Sequence, residues 1–148
     1  MDESRPSFED GVLRIPGQGG AYASLTLSNH RGNEECSSFD FEVSIPEFLS
    51  VRGSADHFEK YIPLAPMWKE IPLERSEKGS WSEWHSESYH FRVNVEHDGL
   101  GHYLLRLKLN PQGGYSDHFS VHVPVLVEAG WLPRVAEWWQ HFFEHPQR

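Results

Sequence analysis

His97-Asp98-Gly99-Leu100-Gly101-His102 lies between two alternating runs, Tyr89-His90-Phe91-Arg92-Val93-Asn94-Val95-Glu96 and Tyr103-Leu104-Leu105-Arg106-Leu107-Lys108-Leu109. In the first run Tyr89, Phe91, Val93 and Val95 share one face, and His90, Arg92, Asn94 and Glu96 the other. In the second, Tyr103, Leu105, Leu107 and Leu109 oppose His102, Leu104, Arg106 and Lys108. A period of two is the pattern of a half-buried strand. Gly99 and Gly101 supply positive φ for the turn, and Asp98 can close it by bonding backbone amides. The connection is short, so the two strands are antiparallel neighbours.

A third strand follows the glycine turn at Gly113-Gly114, with Phe119, Val121, Val123 and Val125 on one face and His118, Ser120, His122 and Pro124 on the other. One apolar and one polar face predict a sheet covered on one side. Residues 128–145 offer the cover. Trp131, Leu132, Val135, Trp138, Trp139, Phe142 and Phe143 recur at helical period, and Arg134, Glu137, Gln140 and Glu144 take the polar side. Pro133 falls in the first turn, where its missing N–H costs nothing. The stripe reads as a core face, because the sheet otherwise lacks a cover.

Upstream the pattern is patchier. Residues 1–20 read as loosely ordered, with one short strand at Val12-Leu13-Arg14-Ile15 before the breaker Pro16-Gly17-Gln18-Gly19-Gly20. Ala23, Leu25 and Leu27 form the inward face of a strand over 21–28. Residues 29–38 read as a polar loop, and Phe39, Phe41, Val43 and Ile45 as the inward face of a strand that Pro46 ends. A short helical insert is expected near 54–62, with Pro63 and Pro66 preventing a longer one, and a short strand near 79–84. The expected architecture is one α+β domain: a mainly antiparallel sheet of about six strands, one face covered by a C-terminal amphipathic helix.

Composition narrows the function. With 38% hydrophobic and 24% charged residues, 148 residues suffice for a core without disulfides or metal. The net charge of −9 disfavours nucleic acid and suits a basic partner. Cys36 is the sole cysteine, so no intramolecular disulfide forms; its neighbours Glu34 and Glu35 disfavour a thiolate. A free thiol, no secretory signal and no apolar run near the ~20 residues of a membrane span give a cytoplasmic expectation.

The ten histidines invite a metal reading, with His90, His118 and His122 on one sheet face. Residues four apart on a strand, such as His118 and His122, are about 13 Å apart at ~3.3 Å per residue, too far to share an ion. HxH, HExxH and CxxC spacings are absent, so neither a metal nor another cofactor is expected. His97, Asp98 and His102 flank the central turn as candidate acid–base groups, but a turn role for Asp98 and a satisfied His102 outweigh catalysis. A GxSxG elbow and a P-loop are both lacking, so no catalytic residue is named. Trp81 and Trp84 would face oppositely on one strand, so core or interface roles outweigh ligand stacking for them and Trp68. Glu34, Glu35, Asp40, Glu42 and Glu47 make the first half negative, as docking to a basic protein would require.

The run Asp98-Gly99-Leu100-Gly101-His102-Tyr103-Leu104-Leu105-Arg106-Leu107, the strand 118–125 and the helix 131–143 resemble the corresponding elements of small bacterial immunity proteins of the WapI-like type, and of a related bacterial domain family of unknown function. The resemblance covers residues 80–145, and residues 20–75 by strand order. The helix is richer in tryptophan than that pattern, and Leu126-Val127-Glu128-Ala129-Gly130 replaces a more polar approach to it. The resemblance implies a cytosolic protein without catalysis that binds and blocks a toxin domain made by its own cell. Asp98, Gly99, Gly101 and His102 would then be fold signatures. The expected function is a non-enzymatic, immunity-type binding protein acting on a basic toxin or nuclease-type domain, with no nucleic-acid or membrane partner. The alternative is a small-ligand-binding or metal-dependent hydrolytic protein using the histidine-bearing face. The sequence leaves oligomeric state open.

Overall fold

A computed structural model describes residues 4–17, 22–33, 35–58, 79–80, 84–86, 89–97, 100–110 and 120–146. The expected fold class holds: two mainly antiparallel sheets and one C-terminal helix. The first sheet runs β1 (Ser7–Glu9), β2 (Val12–Ile15), β3 (Ser24–Gly32), β4 (Ser37–Ile45), β5 (Leu49–His57) in sequential order. In the second, β8 (Phe91–His97), β9 (His102–Leu109) and β10 (Val121–Glu128) are consecutive neighbours, while the two-residue β6 (Gly79–Ser80) and β7 (Trp84–His85) both pair with β8. The helix α1 spans Leu132–Glu144.

Local chemistry explains the hairpins. Asp10 and Gly11 carry φ of 51° and 74°, and Glu9 pairs with Val12. A two-residue loop with both φ positive matches the twist of its flanking strands, and Asp-Gly is a preferred pair for it. Residues 7–9 are therefore strand, where a loosely ordered segment was expected. Ile45 pairs with Leu49 around a three-residue loop, closed by the Phe48 amide donating to the Ile45 carbonyl at 3.0 Å. Residues 54–57 belong to β5, so the expected helical insert is absent there; 59–62 lie outside the described residues. Their inward positions continue a period of two through Val51, Gly53, Ala55 and His57.

The expected 29–38 loop is largely strand. Ser28 pairs with Asp40 and Arg31 with Ser38, so Asn29 and His30 together oppose Phe39. This is a β-bulge, with Asn29 at φ 52°. The extra residue reverses the alternation: Asn29 faces solvent and His30 enters the core.

The apolar faces of both sheets and the helix form one core. Phe91 of the second sheet meets Phe39 and Phe41 of the first at centroid distances of 5.5 and 5.2 Å. The Ala23 amide donates to the Pro124 carbonyl, a direct backbone link between the β2–β3 connection and β10. The second sheet is thus covered by the first sheet as well as by the helix.

The helix begins at Leu132 and not at 128, because β10 keeps pairing with β9 as far as Glu128↔His102. The Ala129 amide then donates to the Gly101 carbonyl, and Val135 to Trp131 as the helix starts. Leu132, Val135, Trp139, Phe142 and Phe143 are buried. Trp131 and Trp138 are only partly buried; their rings pair at 6.3 Å with the Arg134 guanidinium within 6.0 Å of both centroids. The stripe's two outer tryptophans therefore form its rim, not its centre.

Candidate functional site

Alternation along β4 turns Phe39, Phe41 and Val43 inward and Asp40 and Glu42 outward. Asp40 is well satisfied. Its carboxylate accepts from the Ser54 hydroxyl at 2.6 Å, from Asn29 Nδ2 at 3.0 Å and from Arg31 Nη1 at 3.0 Å. Partial burial alone would raise its pKa; these hydrogen bonds and the Arg31 charge bring it below the ordinary value. Arg31 Nη1 also donates to the Asn29 carbonyl at 2.8 Å, so Asp40 and Arg31 together hold the bulge. Glu42 has an exposed ion pair with Arg52 at 3.6 Å, which contributes about 0–1 kcal/mol at most.

Of the five acidic residues expected to act together, the four described ones are spread along β4 and its flanks. Glu35 precedes β4, its amide bonded by Asn33 Oδ1 in a turn, and Glu47 follows β4 in the β4–β5 loop. Nine residues of strand put those ends roughly 30 Å apart. Glu34 lies outside the described residues. What β4 does assemble is a tip: Glu47 at φ 64°, followed by Phe48, which is 82% exposed.

Of the central turn, Gly101 has the expected positive φ of 89° and His102 starts β9, while Asp98 and Gly99 lie outside the described residues. Leu100 in that turn is 81% exposed. His97 is buried at the end of β8, its ring 4.4 Å from that of Tyr103. The outer face of the second sheet holds Arg92, Lys108 and His122 in one cross-strand row. His122 interacts with the Ser120 hydroxyl at 2.9 Å. His118, Trp68 and Trp81 lie outside the described residues. Trp84 is core, 6.2 Å from both Phe39 and Phe91. Among the described residues no three His, Cys, Asp or Glu side chains are placed to hold a metal ion. Also among them, no helix is long and apolar enough to cross a membrane. Cys36 is exposed, its amide bonded by Asn33 Oδ1.

Sequence reasoning missed the buried pair His30 and His57, each 3% exposed, with rings 6.4 Å apart. His30 Nδ1 lies 2.7 Å from the Phe142 carbonyl, which can only accept, so Nδ1 carries the proton. Nε2 then accepts from the Ser37 hydroxyl at 2.7 Å. That hydroxyl has one proton, so the longer 3.4 Å approach to the His57 carbonyl is not a competing bond. Burial lowers both histidines to about 4; for His30 the Phe142 carbonyl opposes the shift, while His57 and Arg31 add to it. Both are neutral at pH 7. The arrangement ties β3 and β4 to the last turn of α1, where Phe142 offers an otherwise orphan carbonyl. The alternation of β5 signals an inward His57; the bulge that turns His30 inward has no comparable signal.

No family model, no curated protein and no solved structure matches the chain.

Proposed function

We propose that this chain is a non-enzymatic protein-binding module of the immunity type, which neutralises a bacterial toxin domain by occluding it. The observation that carries this reading is the β4–β5 tip, where an 82% exposed phenylalanine follows an acidic residue on a short hairpin. Aromatic anchors dominate interface energetics, and burying a phenylalanine contributes about 1.5–3 kcal/mol. Glu47 and the net charge of −9 favour a basic surface around that anchor. Asp40 and Glu42 contribute less directly, because Arg31 and Arg52 offset them and Asp40 organises the strand. The likeness of residues 98–107, of the stretch 118–125 and of residues 131–143 to WapI-like immunity proteins supports the same reading.

The mechanism is steric cover with electrostatic steering. A rigid hairpin places Phe48 in a partner's cleft, while the acidic field accelerates encounter. The test is affinity capture from the source organism's lysate, followed by assay of the captured protein's activity with and without this chain. The expected result is one basic protein, inhibited on binding, whose association slows markedly from low to physiological salt. An uninhibited partner, or an association rate indifferent to salt, contradicts it.

A further inference from the structure

The register of β10 on β9 decides where its backbone groups point. The Ala129 amide donates to the Gly101 carbonyl, which makes Glu128 and His102 a pair that exchanges no hydrogen bonds with each other. Such pairs recur at every second residue, so Leu126↔Leu104 and Pro124↔Arg106 are of the same kind. At these positions the N–H and C=O of β10 turn away from β9, toward the edge of the sheet. Pro124 fits that edge: it has no N–H, and its carbonyl takes the Ala23 amide at 2.9 Å. Leu126 presents both an N–H and a C=O there. Glu128 presents its N–H, while its carbonyl accepts from the Trp131 amide at 2.9 Å. Among the described residues nothing bonds to these three groups of Leu126 and Glu128. A cavity of about 500 Å³ lies against the same stretch, lined by Leu126, Val127 and Glu128 together with Pro6, Pro16 and Trp131.

We infer that this slot takes a short extended peptide of a partner protein as an added antiparallel strand on β10. A donor and an acceptor on one residue are the complement of another peptide backbone. The peptide residue facing Leu126 exchanges two hydrogen bonds with it: its N–H donates to the Leu126 carbonyl, and the Leu126 N–H donates to its carbonyl. The Glu128 N–H adds a third. The chain makes the same contact within itself one rung upstream, where Ala23 docks on Pro124. From that rung to Glu128 the edge is about 13 Å long at ~3.3 Å per residue, so the ligand is a linear segment of about four residues. Pro6, Pro16 and Trp131 give its side chains apolar ring surface. The site shares no residue with the Glu47–Phe48 tip, so peptide binding and the occluding contact can fail independently.

The test selects a phage-displayed library of random linear dodecapeptides on the full chain and measures the enriched peptides by fluorescence anisotropy. Leu126→Pro removes the one outward N–H and leaves the ladder with β9 intact, as Pro124 already does; Leu126→Ala keeps the N–H. The expected result is one-to-one binding that weakens by about tenfold or more on Leu126→Pro and by less on Leu126→Ala, with circular dichroism unchanged in both. Amide exchange at Leu126 and Glu128 in the wild type should slow on binding, a readout that stands even where Leu126→Pro fails to fold. Peptides that leave those two amides exchanging as before, or that bind Leu126→Pro as well as the wild type, would overturn the site. So would a library that yields no enriched peptide. A dimer in sedimentation that Leu126→Pro abolishes would give the edge to a second copy of this chain and overturn the peptide assignment.

Discussion

At the scale of single residues, Asn29 decides which side chain enters the core. Held at φ 52°, it is the extra residue opposite Phe39, and the reversed alternation delivers His30 to the Phe142 carbonyl. Asparagine tolerates the left-handed region better than most residues. The buried histidines make stability depend on pH. Their folded pKa values of about 4 lie below the ordinary 6.5, so the unfolded chain binds more protons between those limits. Stability from this source is therefore complete above pH 6.5 and lost as pH falls toward 4, by up to about 3 kcal/mol per histidine. Urea denaturation at pH 7 and pH 5 should show the loss, and NMR should find the His30 and His57 rings not titrating above pH 5. Titration of the His30 and His57 rings near 6.5 would contradict the burial. Gly32 and Gly101 provide a second residue-level comparison. Both have positive φ, but a Cβ at Gly32 meets the Cys36 carbonyl at 2.6 Å, whereas at Gly101 it meets open space. Gly101→Ala should cost about 1 kcal/mol, the backbone penalty alone, and Gly32→Ala clearly more. Equal losses in urea denaturation would contradict the packing at β3's end.

At the scale of elements, the helix separates its tryptophans into a centre and a rim. Trp139 is fully buried and lies 6.3 Å from Phe91 and 6.2 Å from Phe143, whereas Trp138 keeps a solvent-facing edge beside Arg134. Trp139→Ala should cost about 3–5 kcal/mol, and Trp138→Ala markedly less. The reverse order in denaturant midpoints would mean the stripe is misoriented. The strands that were legible in sequence are those with large apolar residues at every second place, such as Phe39 to Val43 and Tyr103 to Leu109. β5 was not, because two of its inward positions are the small Gly53 and Ala55 and its outward ones are ordinary polar residues. β1 was obscured by its brevity, although Asp10-Gly11 between Phe8 and Val12 is a hairpin signal. The helix start was displaced because the alternation of β10 through Val127 merges with the helical stripe from Trp131.

At the scale of the whole molecule, two sheets and a helix share one core. In sequence, Glu34, Glu35, Asp40, Glu42 and Glu47 form one acidic region, of which all but Glu34 lie among the described residues. Folding distributes the described four along about 30 Å of β4 and engages Asp40 and Glu42 with arginines. Charge composition cannot reveal such pairing, because Asp40's partners Asn29, Arg31 and Ser54 come from two neighbouring strands. Nor does it single out Phe48, whose exposure depends on the β4–β5 loop falling at Pro46-Glu47-Phe48. The proposed mode of binding puts the anchor at that tip. The most direct measurement is capture from lysate with wild-type and Phe48→Asp baits in parallel, read by quantitative mass spectrometry. The expected result is one basic protein near equal amount on the wild-type bait and its loss on Phe48→Asp, with the two baits equally stable. The same proteins in the same amounts on both would contradict it.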